Sequence, residues 1–204
     1  MKNLTRVLFA VTSVALLLGA CASTKLTSAW VDENYQGGPV SNILVICVTD
    51  QEGARRSYES KFVKELEALG VKAVSSADVI RIPAGKKLQK ETILRAVNKL
   101  KNDAVLIMHL VGVEKKDVYT PPSYQTYPND LYGFYGHVYT RVHTPGYYTT
   151  HTYVRLETNL YDVKTEKLIW SAQSETWNPA SGEQLIDEVI RVVIKDMQKY
   201  KLLP

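Results

Sequence analysis

Two apolar runs limit what this chain can fold into: "ILVICV" within "NILVICVTD" and "AVLIMHL" within "DAVLIMHLVGVEKKDVYT". A strand with one wet face alternates apolar and polar residues, and these do not alternate. That pattern belongs to strands buried on both faces by helices, as in parallel sheets. The intervening segments supply the helices. In "ARRSYESKFVKELEALG", Tyr58, Phe62, Leu66 and Leu69 recur at helical spacing and Gly70 is placed to end the helix. "VKAVSS" reads as a short strand, followed by an irregular stretch through Pro83 and Gly85. "LQKETILRAVNKLKN" reads as a second helix with Ile93, Leu94, Val97 and Leu100 inward. The two apolar runs are therefore expected side by side as parallel central strands.

After residue 150 the pattern changes. In "YVRLETNLYDV", Val154, Leu156 and Leu160 alternate with Arg155, Glu157, Asn159 and Tyr161, so one face is buried and one wet. "KTEK" supplies a turn and "LIWSAQSETW" returns. "SGEQLIDEVIRVVIKDMQKYKLL" closes as a helix, with Ser181 and Gln184 in a capping box and Leu185, Val189, Val192 and Val193 on its apolar face. The order β-α-β-α-β-β-β-α predicts a single three-layer α/β domain over 42–204. Its mixed sheet has early parallel βαβ units, a C-terminal antiparallel hairpin and a closing helix. A domain of about 160 residues buries a proper core without a disulfide.

The leading segment has a different character. Lys2 and Arg6 precede an apolar stretch, Val7 to Leu18, interrupted by Thr12 and Ser13. It is shorter than the roughly 20 residues a spanning helix needs, and its flanks fit a signal peptide over 1–20. Two cleavage sites fit. Ala20-Cys21-Ala22 is an ordinary small-x-small site, whereas Leu18-Gly19-Ala20-Cys21 resembles the lipobox of bacterial lipoproteins. The lipobox is the more specific pattern. It implies a diacylglyceryl group on the Cys21 sulfur and an acyl chain such as palmitate on the freed amine. Several acyl chains make a stable anchor where one is marginal. Ala22 after the cysteine resembles the outer-membrane sorting pattern, with the inner membrane as the alternative. Residues 21–41, rich in Ser, Thr, Gly and Asn, read as a lipidated tether in which "TSAWVDENY" is a candidate edge strand.

Removing 1–20 removes two basic and no acidic residues, so the formal charge falls from +4 to +2. That balance gives no electrostatic case for nucleic acid. Cys47, inside the first apolar run, is expected to be a buried core residue, because a reactive thiol needs an exposed electropositive setting.

Taken in order, "SAWVDENYQG", "NILVICVTDQEGARRSYESKFVKEL", "DAVLIMHLVGVEKKDVY" and "LETNLYDVKTEKLIWSAQSETW" resemble a family of small bacterial lipoproteins with a domain of unknown function. The resemblance covers nearly all of the chain after the leader. It implies an α/β domain behind a lipobox and supplies no catalytic residues. "LYDVKTEKLIWS" also looks like the hairpin of periplasmic domains in envelope assembly and export lipoproteins, a fold-level analogy.

Residues 119–150, "YTPPSYQTYPNDLYGFYGHVYTRVHTPGYYTT", hold eight of the thirteen tyrosines. Pro121, Pro122, Pro128, Pro145 and three glycines predict a long loop without regular structure through most of its length. Such loops are unusual in compact domains and often bind. Tyrosine gives wide contact at low entropic cost, so Tyr132, Tyr135 and Tyr139 are the candidate partner-binding residues. The bland alternative is tyrosine padding over a sheet edge. His137, His143 and His151 invite a metal reading, but their gaps of six and eight residues lack the tight spacing of ligand motifs. His109, within the apolar strand, is expected to be a buried neutral imidazole. Arg55 and Arg56, at the crossover after the first strand, are expected to be surface or partner contacts. "AGKKLQ" has too little glycine to cradle phosphate, and no nucleophile elbow or dinucleotide fingerprint is present.

The expectation is therefore a lipid-anchored protein of the outer membrane whose domain faces the periplasm. It would have a non-catalytic binding or assembly role, no cofactor, and an envelope protein or glycan as partner. The alternatives are a metal-assisted hydrolase using the His/Tyr loop, or a glycan-binding module.

Overall fold

Burial of the two apolar runs on both faces organises the molecule. The computed structural model describes residues 23–80, 88–120, 130–143 and 146–204. The expected signal peptide over 1–20 and the expected lipid site Cys21 lie outside these residues. Six strands form one sheet: β1 (Thr24–Val31), β2 (Asn42–Val48), β3 (Lys72–Ser75), β4 (Ala104–Thr120), β5 (Tyr147–Asp162) and β6 (Leu168–Trp177), in the order β1-β6-β5-β4-β2-β3. The helices are α1 (Glu52–Ala68), the single turn α2 (Ser76–Val79), α3 (Lys90–Leu100), α4 (Leu131–His143) and α5 (Gly182–Lys199).

β2 and β4 are parallel neighbours, paired from Ile43–Ala104 to Val48–His109, as expected. β2 also pairs in parallel with β3, and the remaining pairs are antiparallel. Along β2 the side chains alternate between two cores. Ile43, Val45 and Cys47 join Tyr58, Phe62 and Leu66 of α1 and Val189, Ile190 and Val193 of α5. Leu44 and Ile46 join Val97 of α3. The absence of alternation in the sequence is thus the mark of the three layers.

Helix ends follow local chemistry. Gly70, at φ +79°, ends α1, with its own N–H bonded to Glu67 and that of Val71 to Leu66, a Schellman arrangement. At α5, Ser181 Oγ accepts the Gln184 N–H at 3.0 Å, and the Gln184 side chain accepts the Ala180 N–H at 2.8 Å. Trp170 of β6, fully buried, donates its indole N–H to Asp196 of α5 at 3.0 Å.

One expectation needs correction. The 119–150 stretch is largely regular: β4 runs on to Thr120, α4 fills Leu131–His143 and β5 begins at Tyr147. The prolines flank α4 and none lies within it. The candidate edge strand within 21–41 is β1, which begins earlier than "TSAWVDENY" and lies against β6 at the sheet edge from Thr24–Thr176 to Val31–Trp170, so the free tether is short.

Candidate interaction surface

β4 and β5 outrun their neighbours. β2 ends at Val48 opposite His109, and β6 ends at Trp177 opposite Tyr153, which faces Glu114 across β5–β4. Just past β6, Asn178 exchanges hydrogen bonds with the backbone of Thr152. From Lys115–Thr152 to Thr120–Tyr147 the two strands continue with no third strand beside them among the described residues. At about 3.3 Å per residue this stalk is roughly 17–20 Å long. Tyr119 and Tyr148, directly opposite, bring their rings to 5.1 Å, and Thr150 donates to Asp117 at 2.7 Å. A Cβ on Gly146 would lie 2.6 Å from the Thr120 carbonyl oxygen and against the Tyr119 ring, so a larger residue there requires the backbone to shift.

The stalk carries α4. Asp130 caps it: Oδ1 accepts the Gly133 N–H at 2.8 Å and the carbonyl accepts the Phe134 N–H at 2.9 Å. At 100° per residue, Leu131, Tyr132, Phe134, Tyr135, Val138, Tyr139 and Val142 share one half of the helix, with Gly133, Gly136, His137 and Thr140 opposite. Tyr135 lies 6.1 Å from Tyr139, which stacks on His143 at 4.0 Å. This face is open: Tyr132 is 83%, Leu131 76%, Val142 72% and Tyr135 66% exposed. Among the described residues no other helix or strand packs extensively against it. A contiguous exposed apolar surface of this kind is a candidate interaction site. All three sequence-selected tyrosines lie on it, and the other residues of the face become legible only once the helix is seen.

The first described residue sits at the same end of the sheet. The Ser23 carbonyl accepts the Trp177 N–H at 2.9 Å. Ser23 and Thr24 hydroxyls donate to one oxygen of the buried Glu188 of α5 at 3.0 and 2.8 Å, and Gln184 donates to the other oxygen at 2.8 Å. Burial raises the Glu188 pKa, but these bonds from Gln184, Thr24 and Ser23 outweigh it and hold the carboxyl below its ordinary range. The chain is therefore fastened to the domain from Ser23 onward.

The same end holds a buried polar cluster that the sequence reading missed. Glu59 is fully buried and accepts the Cys47 N–H, Arg55 Nε, the Ser75 and Ser76 hydroxyls and the Ala77 N–H, all within 3.2 Å. Arg55 also donates to Ser76 at 2.9 Å. Arg55 is thus buried structure, not the expected surface contact, whereas Arg56 is exposed and pairs with Glu52 at 2.8 Å. A signal existed: Arg55 and Glu59 fall on the helical stripe of Tyr58, Phe62 and Leu66. The cluster joins the ends of β2 and β3 to α1, near the point where α/β proteins bind ligands, but its donors and acceptors are spent on one another. Cys47 is buried as expected; burial, then the Glu59 charge, pushes its thiol up to about 12, with Arg55 opposing.

His109 is only half-buried, because β2 ends beside it. His143 Nδ1 lies 2.8 Å from the Tyr139 carbonyl, and His151 Nδ1 lies 2.9 Å from Asn178 Nδ2, with its ring near Trp177. Among the described residues no three His, Cys, Asp or Glu side chains gather to hold a metal ion. No described helix is long and apolar enough to cross a membrane.

No protein-family model matches the sequence, and no curated protein matches it. Among solved structures, the chain is similar to a PelC dodecamer subunit from Paraburkholderia phytofirmans, at 15% identity and TM-score 0.42 over 84% of this chain and 93% of that one. It is similar to lipoprotein GNA1162 from Neisseria meningitidis, at 17% identity and TM-score 0.42 over 78% and 99%. A minor lipoprotein from Acinetobacter baumannii matches at 8% identity and TM-score 0.28 over 81% and 97%. Scores this low carry no inference about what the chain does.

Proposed function

We propose that the protein is a lipid-anchored envelope protein with a non-catalytic binding or assembly role, held by Cys21 at the outer membrane with its domain in the periplasm. Its working surface is the exposed face of α4, including Tyr132, Tyr135 and Tyr139. The observation that carries this reading is an aromatic helix raised on a two-stranded stalk, with its apolar half exposed and no packing role in the core. The lipobox-like Leu18-Gly19-Ala20-Cys21 supports the anchor. The spent hydrogen bonds around Glu59 and the high thiol pKa of Cys47 favour binding over catalysis.

Two variants test it. Cys21→Ser should block lipoprotein processing or release the protein from membranes; normal mature lipidation and retention would contradict the anchor. Replacing Tyr132, Tyr135 and Tyr139 with Ser should leave thermal unfolding nearly unchanged, since exposed substitutions usually shift stability by no more than about 0.5 kcal/mol. The same variant should lose its envelope crosslinks, whether to lipid or to protein. A large loss of stability with unchanged crosslinks would make these tyrosines structural padding.

A further inference from the structure

We infer that the aromatic face of α4 lies in the lipid–water interface of the membrane that holds Cys21, so that the hairpin is a second foot beside the acyl anchor. This rests on the lipid-anchor reading and names what its binding surface meets.

The argument is one of lengths. Ser23 is bonded to Trp177, Trp177 faces Tyr153, and Tyr153 faces Glu114 at the root of the stalk. The start of β1 and the root of the stalk are thus three strand spacings apart, about 14 Å, at one end of the sheet. Two residue steps separate Cys21 from Ser23. Whatever conformation they adopt, they span at most about 7 Å. Ser23 and Thr24 are fixed to Glu188 and β6, so no further slack exists. A domain on a leash of about 7 Å, with a stalk of roughly 17–20 Å leaving the same end, brings the stalk tip to the lipid surface.

The tip suits that place. Between Asp130 and His143 the only residue with a fixed charge is Arg141. Four tyrosine and phenylalanine rings, with Leu131, Val138 and Val142, occupy one half of α4. Rings with an apolar body and a polar tip settle at headgroup level, and amphipathic helices bury their apolar face about 5–10 Å into this boundary. Tyr119, Tyr147 and Tyr148, at the last pairs of the stalk, are exposed as well.

The test uses the lipidated full-length protein carrying Tyr132→Cys or Val142→Cys, with Lys164→Cys in the β5–β6 turn as the far-end control. Each is labelled with an environment-sensitive fluorophore and reconstituted in phosphatidylethanolamine–phosphatidylglycerol vesicles containing a doxyl-quencher lipid. Cys47 is buried and its thiol is protonated, so labelling is confined to the introduced site. Probes at 132 and 142 should shift to the blue and lose most of their emission to the quencher, while the probe at 164 keeps its emission. Lipidated, vesicle-bound protein whose 132 and 142 probes are unquenched would overturn the inference and leave the anchor reading standing. A blue shift that depends on protein concentration and ignores the quencher would overturn it in favour of a second copy. Absence of lipid on Cys21 by mass spectrometry would overturn both.

Discussion

β4 and β5 lead two lives. Over Ala104–Met108 and Leu156–Leu160 they lie in the middle of a three-layer core, with Leu106 and Leu160 fully buried. From Lys115–Thr152 to Thr120–Tyr147 no other strand flanks them among the described residues. One half gains stability from neighbours on each side. The other depends on cross-strand pairs alone, and a lone two-stranded ribbon is marginal in water. The buried half holds the free half in place, and the free half gives the fold little in return. On the proposed function, the exposed aromatic helix that the projection bears is the part that meets a partner.

The sharpest contrast comes from breaking the buried end. Glu59→Ala strips the acceptor from five donors and leaves the buried Arg55 charge with only the exposed Glu52 carboxylate at 3.4 Å. Breaking one side of a buried ion pair costs about 3–5 kcal/mol, readable as a lower urea midpoint. A shift within error would mean that water reaches the cluster and that this end of the core is looser than described.

Glu188→Gln probes the fastening of the first residues to α5. It weakens the bonds from Ser23 and Thr24 and should cost about 1–3 kcal/mol at neutral pH. Because the folded carboxyl binds its proton less tightly than an unfolded glutamate, near 4.3, the unfolded chain protonates first as pH falls. The Glu188 contribution is therefore complete above about pH 4.3 and drains away as pH falls through the lower folded value. Wild type and variant should converge in acid. A stability gap that persists or widens there would contradict the role given to the carboxylate.

The buried half was legible in the sequence and the projecting half was not, for physical reasons. "ILVICV" and "AVLIMHL" carry their environment in composition, and Gly70 and Ser181 mark helix ends by chemistry only those positions need. Tyr132, Tyr135 and Tyr139 stood out by residue type alone. The helix beneath them did not, because Tyr, Gly, Val, Thr and His are weak helix formers and the flanking prolines masked a short regular element between them. Arg55 misled because two arginines at the start of a helix oppose its dipole and so read as solvated contacts; its burial depends on which face of α1 meets β2 and β3. The early docking of the chain was hidden too, since the polar 22–41 segment does not announce that Ser23 and Thr24 are held by Glu188 of α5, over 160 residues away.

The division between the two halves predicts the smallest effect of all for the largest change. Thr120 and Tyr147 face each other, so residues 121–146 can be replaced by Asn-Gly, the two-residue turn that suits an antiparallel pair. The measurement is the urea unfolding midpoint of this lipidated variant beside wild type. The account predicts an unchanged midpoint, within the roughly 0.5 kcal/mol expected of changes outside the core. A fall equivalent to several kcal/mol would contradict it, and would make the aromatic helix part of what holds the fold together.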